Sequence, residues 1–81
     1  MELNDTVEMM LSDDYKERFR AEYWQLSIRY RKLKEMLRLR DAGKLNFEPT
    51  CNRRIFNLQL RAMEDYLAIL ESRAQIEGID L

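Results

Sequence analysis

Histidine is absent from this chain, cysteine and proline occur once each, and glycine occurs twice. Each shortage removes a class of reading. Without histidine there is no imidazole base and no ordinary zinc site. A lone Cys51 cannot form an intramolecular disulfide and suits a reducing cytoplasm. Two isolated glycines build no phosphate loop. The longest uninterrupted apolar run, Tyr66 to Leu70, is five residues, far short of a bilayer span. The start, Met1-Glu2-Leu3-Asn4-Asp5, has no basic region ahead of an apolar core, so no signal peptide is expected. Catalysis is left without machinery. Cys51 has no base or resolving thiol and reads as a small packing residue. Ser12, Ser27 and Ser72 have no base at a recognisable spacing, and Asp13, Asp14 and Glu17 read as solvated helix surface. A non-enzymatic protein with no cofactor and no metal is expected.

What the chain has is charge and apolar side chains in quantity: 36% charged and 46% hydrophobic over 81 residues. That composition describes one small, helix-rich domain. The net charge of −1 hides an uneven distribution. Residues 1–17 carry six acids and one base, and residues 29–44 carry seven bases and two acids. Residues 45–63 add three arginines against Glu48, and residues 64–81 carry five acids against Arg73.

The apolar pattern is helical. Tyr15, Phe19, Tyr23, Leu26, Tyr30, Leu33 and Leu37 step by three and four residues, the spacing of a coiled-coil seam. Ser12 is placed to cap this helix and Gly43 to end it, which predicts a first helix over about 13–42, roughly 45 Å long at ~1.5 Å per residue. Pro49 breaks the pattern and Thr50 is placed to cap a second helix, whose seam is Phe56, Leu60, Met63, Leu67, Leu70 and Ala74. Gly78 stops it. Two long helices of matched length with a short joint predict an all-α fold, an antiparallel αα-hairpin over residues 12–81. Residues 1–11 read as an N-terminal extension or a short helical turn.

The antiparallel arrangement gathers the basic residues at one pole, around the joint, and the acids at the other. Arg53 and Arg54 stand in the first turn of the second helix, where a cation opposes the helix dipole. Their position asks for a negative partner. The candidate anion site is Arg53, Arg54, Lys44, Thr50 and Arg40, with Phe47 as a stacking surface: guanidinium groups fork onto phosphate, and free N–H groups at a helix start donate to it. Glu48 or the acidic pole of a neighbouring subunit would equally neutralise it. Duplex nucleic acid is disfavoured, because a pI near 5.5 is far from that of a DNA-binding domain.

Each helix also carries apolar residues outside its seam. Trp24, Ile28 and Leu39 on the first helix, and Tyr66 and Ile69 on the second, would be exposed in an isolated hairpin. A two-helix chain buries little core alone, so these residues are expected to form an interface in an oligomeric helical bundle. The competing expectation is that residues 1–11 and the tail Ile79-Asp80-Leu81 fold back over part of this surface.

Several segments carry a family resemblance: Ser12-Asp13-Asp14-Tyr15-Lys16-Glu17-Arg18-Phe19, Leu33-Lys34-x-Met36-Leu37, the joint Ala42-Gly43-Lys44-Leu45-x-Phe47-x-Pro49-Thr50-Cys51, and Arg73-Ala74-x-Ile76-Glu77-Gly78. Over residues 12–81 the chain resembles a family of small helical-hairpin proteins of tailed phages and prophages of Gram-positive gut bacteria, related to a crAss-like phage protein. Relatives carry proline where this chain has Asn52, which implies a less rigid start to the second helix here. The resemblance implies a phage accessory protein in the cytoplasm of its bacterial host, directed at host defence. It carries over no catalytic residue. The architecture is also similar to phage sponge proteins that oligomerise and sequester cyclic nucleotide immune signals. An anionic nucleotide or a host defence protein is the expected partner.

Overall fold

A computed structural model describes residues 1–81, all in helices and the segments joining them. A 3-10 turn, Leu3–Thr6, runs into a short helix α1, Val7–Met10. Two long helices follow, α2 over Tyr15–Asp41 and α3 over Arg53–Glu77. No helix is long and apolar enough to cross a membrane.

The caps explain where the long helices start and stop. Asp14, not Ser12, caps α2: its carboxylate accepts from the Lys16 N–H at 3.0 Å. Ser12 lies one step further out, its Oγ accepting from the Asp14 N–H and its carbonyl from Arg18. Asp14 stands where an acidic side chain meets the positive end of the helix. At the other end Gly43 takes the left-handed conformation, φ 70°. The Lys44 N–H then reaches back to the Leu39 carbonyl and the Gly43 N–H to that of Arg40, the paired bonds that terminate a helix. Asn52 rather than Thr50 caps α3, with its side chain accepting from the Ile55 N–H at 3.0 Å. Gly78, at φ 69°, closes α3 and turns the tail back on itself.

The expected seams face one another. Phe19 and Leu37 on α2 and Leu70 and Ala74 on α3 are buried, and the remaining apolar seam residues are half-buried, apart from the exposed Tyr15. A cluster of Phe19, Leu70, Ala74 and Ile79, flanked by Tyr23 and Leu26, plugs one end. Ile79 comes from the tail, which Arg20 holds by donating to the Asp80 carbonyl at 2.6 Å.

Polar bonds run alongside the seam. Tyr15 donates to Glu77, Tyr23 to Glu71, Tyr30 to Glu64, and Tyr66 to Glu22. For the three α2 tyrosines, partner numbers on α3 fall as those on α2 rise. Tyrosine suits these positions because its ring lines the seam while its hydroxyl reaches a carboxylate at the rim. The Tyr15 hydroxyl pKa is raised above 10.0, first by its bond to Glu77, and that of Tyr66 by its bond to Glu22; burial and then Glu71 raise that of Tyr23. A raised tyrosine pKa means that folding favours the neutral hydroxyl. Its stabilisation is complete below 10.0 and disappears as pH climbs through the raised values. Glu77 shifts the other way, held below 4.5 by its bond to Tyr15 and by Arg73, so its contribution fades as pH falls through that lowered value. The thermal midpoint, followed by circular dichroism, is therefore expected to be flat around neutrality and to fall above pH 10. The triple variant Tyr15→Phe/Tyr23→Phe/Tyr66→Phe should lose part of that alkaline fall. An unchanged alkaline limb in the triple variant would remove the hydroxyls as its cause.

Residues 1–11 lie against α2 and do not touch α3. Thr6 is fully buried there, donating to the Leu3 carbonyl and accepting from the Gln25 side chain. Glu2 pairs with Lys32 at 3.5 Å. This fold-back puts Glu2 beside the basic half of α2 rather than at an acidic pole. It also buries Ala21 and Ile28, the middle of the second apolar stripe on α2.

Candidate functional site at the interhelical joint

The joint spans residues 42–52 between the C-terminus of α2 and the N-terminus of α3. Two side chains here carry the wrong sign for their helix ends. Asp41 closes α2, where an anion opposes the dipole, and Arg53 opens α3, where a cation does. The two meet across the joint at 3.1 Å. A second pair, Arg40 with Glu48 at 3.2 Å, ties α2 to the joint itself. Each misplacement offsets the other, which explains how α3 tolerates a first turn with no acid.

The pairs leave a remainder. Nη1 of Arg40 and Nη1 of Arg53 are both shielded from solvent and neither has a hydrogen-bond acceptor. A buried donor without an acceptor costs about 1–3 kcal/mol, more when charged. Asp41 and Glu48 hold the two guanidinium groups in place but do not satisfy them. Arg54 and Lys44 are exposed and make no ion pair, Thr50 is exposed, and Phe47 is 55% exposed beside them. Arg38 is committed elsewhere, doubly bonded to Glu35. That bond holds the Glu35 carboxyl below its ordinary range. The six residues read from the sequence as an anion site all lie at the joint or on the helix ends flanking it. Asp41, which positions one of them, was not singled out by sequence; its sign against the dipole was the available signal.

A concave pocket of about 220 Å³ lies elsewhere, between Met1, Glu2, Ile28, Arg31, Lys32 and Glu35. Two carboxylates line it, Glu2 paired to Lys32 and Glu35 to Arg38, while Arg31 makes no ion pair. Its lining has no aromatic side chain on which a base could stack.

The residues read as an interface fall into two groups. On α2, Ile28 is covered by residues of its own chain, while Trp24, set edge-on to Tyr23 at 5.1 Å, and Leu39 are half-buried. On α3, Tyr66 and Ile69 are exposed, as are Ile55, Leu58 and Ile76. No cluster of three or more acidic or thiol side chains is arranged to hold a metal ion.

No curated protein and no solved structure matches the chain. One protein-family model does, over residues 13–76, which takes in α2, the joint and nearly all of α3. By that match the chain belongs to the Sequestin family.

Proposed function

We propose that the protein is a non-enzymatic sponge of phage or prophage origin that sequesters an anionic nucleotide signal of host immunity. It acts as an oligomer of antiparallel helical hairpins in the host cytoplasm. The family name speaks for sequestration, and the falling order of Tyr–Glu contacts supports the antiparallel hairpin. One observation carries the ligand: the exposed Arg54 and Lys44 stand at the joint without an ion pair, next to the partly exposed guanidinium groups of Arg40 and Arg53. Phosphate oxygens accept from guanidinium groups in paired, charge-assisted hydrogen bonds. Phe47, 55% exposed, adds a face for a base to stack on.

Isothermal titration with cyclic dinucleotides, cyclic trinucleotides and nicotinamide-derived signals tests the reading. One class is expected to bind, with affinity falling as salt rises. Arg53→Ala/Arg54→Ala removes two charge-assisted contacts at about 1.5–3 kcal/mol each, so binding is expected to weaken by roughly 100-fold or more. Silence across the panel, or binding indifferent to the double variant, sinks the proposal.

A second reading rests on a separate observation, the exposed apolar residues of α3. By it the protein is an inhibitor or adaptor that docks a host defence protein through that face. A purified defence protein that binds the wild type but not Ile69→Glu, with no nucleotide bound by either, would favour this reading over the sponge. An assembly with no ligand and no partner would leave a purely structural oligomer.

A further inference from the structure

One flank of α3 carries an apolar stripe that nothing in the chain covers. Ile55, Leu58, Ala62, Tyr66, Ile69 and Ile76 recur there at helical spacing beside the seam, with Arg73 at the inner edge and the Tyr66 hydroxyl reaching back to Glu22 on α2; Ile69 and Ile76 are 57% and 84% exposed. The N-terminal segment that shields the equivalent stripe on α2 does not reach α3. Contiguous exposed apolar surface of this kind calls for a partner, and the charges beside it say which.

At 3.6 residues per turn, Arg54, Arg61 and Asp65 fall along one edge of this stripe, the edge farther from α2. The ion pairs of α3 are Arg53 with Asp41 and Arg73 with Glu77, so all three edge charges are free. Arg61 and Asp65 stand one helical turn apart yet do not pair with each other. When two copies of one helix pack side by side in opposite directions, each edge meets the same edge of the other with its order reversed. Arg61 then faces the partner's Asp65, and Asp65 the partner's Arg61. With the two-fold axis near the middle of α3, Ala62 lies opposite the partner's Tyr66 and Leu58 opposite the partner's Ile69. Small then meets large, as close packing requires. A parallel pair would set this edge against the opposite one, which offers Gln59 and Arg73 instead.

We infer that α3 pairs with α3 of a second copy, antiparallel and about a two-fold axis, through the apolar stripe centred on Ala62 and Tyr66 and the reciprocal Arg61–Asp65 contacts. The inference deepens the oligomer in the proposed function and is independent of its ligand. An isologous contact of this type closes on itself and leaves no growing end. It also sends the two joints to opposite ends of the assembly, so each subunit keeps its own joint open and the ligand ratio is one per chain.

Light scattering across a concentration series tests the pair. The wild type is expected at twice the chain mass of 9.9 kDa, and Ile69→Glu or Leu58→Glu at the mass of one chain with helicity retained. Arg61→Glu and Asp65→Arg should each weaken dimerisation about tenfold, and Arg61→Glu/Asp65→Arg should restore it, since the swap rebuilds the contact only against a copy carrying the same changes. A wild type that stays monomeric at the highest concentration overturns the inference. So does a dimer unmoved by Ile69→Glu, or a charge-swapped double variant no better than its parents. Titrating nucleotide into Ile69→Glu separates the two claims: a monomer that still binds leaves the sponge reading standing, and a dimer that binds nothing removes only the sponge.

Discussion

Leu70→Ala is expected to lower the unfolding free energy by about 3–4 kcal/mol, close to the middle of the range for leucine truncations at buried sites. Leu70 has no exposed surface and joins Phe19, Ala74 and Ile79 in the only fully buried cluster between the long helices. Only eight residues of 81 are buried, so no reserve of core exists to absorb the loss. A domain of this length is stable by roughly 4–12 kcal/mol in total, which makes one methyl-rich side chain a quarter or more of the balance. Neighbours have little scope to collapse into the gap: Phe19 is held beneath the Arg73 guanidinium, 5.1 Å from its ring, and Ile79 is fixed by the tail's own bonds. Urea unfolding followed at 222 nm measures the effect as a lower midpoint at unchanged slope. Ile76→Ala, at a site 84% exposed, is the control and should stay within about 0.5 kcal/mol of wild type for the isolated chain. If the two variants cost the same, the cluster is not where the stability lies.

Deleting residues 2–11 is expected to cost about 2 kcal/mol and to change the solution behaviour of the chain. The segment covers Ile28 and Ala21, and full burial of an isoleucine contributes about 1.5–3 kcal/mol. It also brings the Thr6–Gln25 hydrogen bond and the exposed Glu2–Lys32 pair. The entropy of ordering the segment opposes these gains, which is why the loss is modest although two core side chains are uncovered. The pair of long helices should survive, because its seam and caps lie beyond residue 12. The freed α2 stripe, Ala21, Trp24 and Ile28, then becomes a second sticky face, and light scattering should show association beyond that of the full chain. An unchanged urea midpoint together with an unchanged mass would mean that the segment does not shield this face in solution.

The two deletions of contact differ in how far they were legible from residues alone. Leu70 sits in a repeating three- and four-residue apolar pattern, and a period of 3.6 can be read without knowing what it faces. The fate of Ile28 was not legible in that way. Its stripe pattern was visible, but a stripe says only that something covers it. Whether the cover is another subunit or eleven residues of the same chain depends on where those residues travel. The cue that would have helped is Thr6: a hydroxyl within the extension, with Gln25 on the facing surface to donate to it. The α2 tyrosines at seam positions, with Glu64, Glu71 and Glu77 at near-heptad spacing on α3, were a similar cue for the bonds that line the seam.

The joint divides the same way. That Arg40, Lys44, Arg53 and Arg54 stand close to one another follows from two long helices and a short connection. That Arg53 is tied to Asp41, Arg40 to Glu48, and one nitrogen of each left without an acceptor does not. Charge counts register sign but not distance, and an ion pair exists only within about 4 Å.

By itself, then, the sequence determined the helices. Their periodicity, the terminating glycines at 43 and 78, and the break at Pro49 are local properties, set by backbone geometry within a few residues. The caps were a choice between near-equal local options, Asp14 over Ser12 and Asn52 over Thr50, each settled by bonds to N–H groups two or three residues on. Only the tertiary structure decided the cover over Ile28 and the pairing at the joint, because both depend on the path by which the chain brings separate segments together.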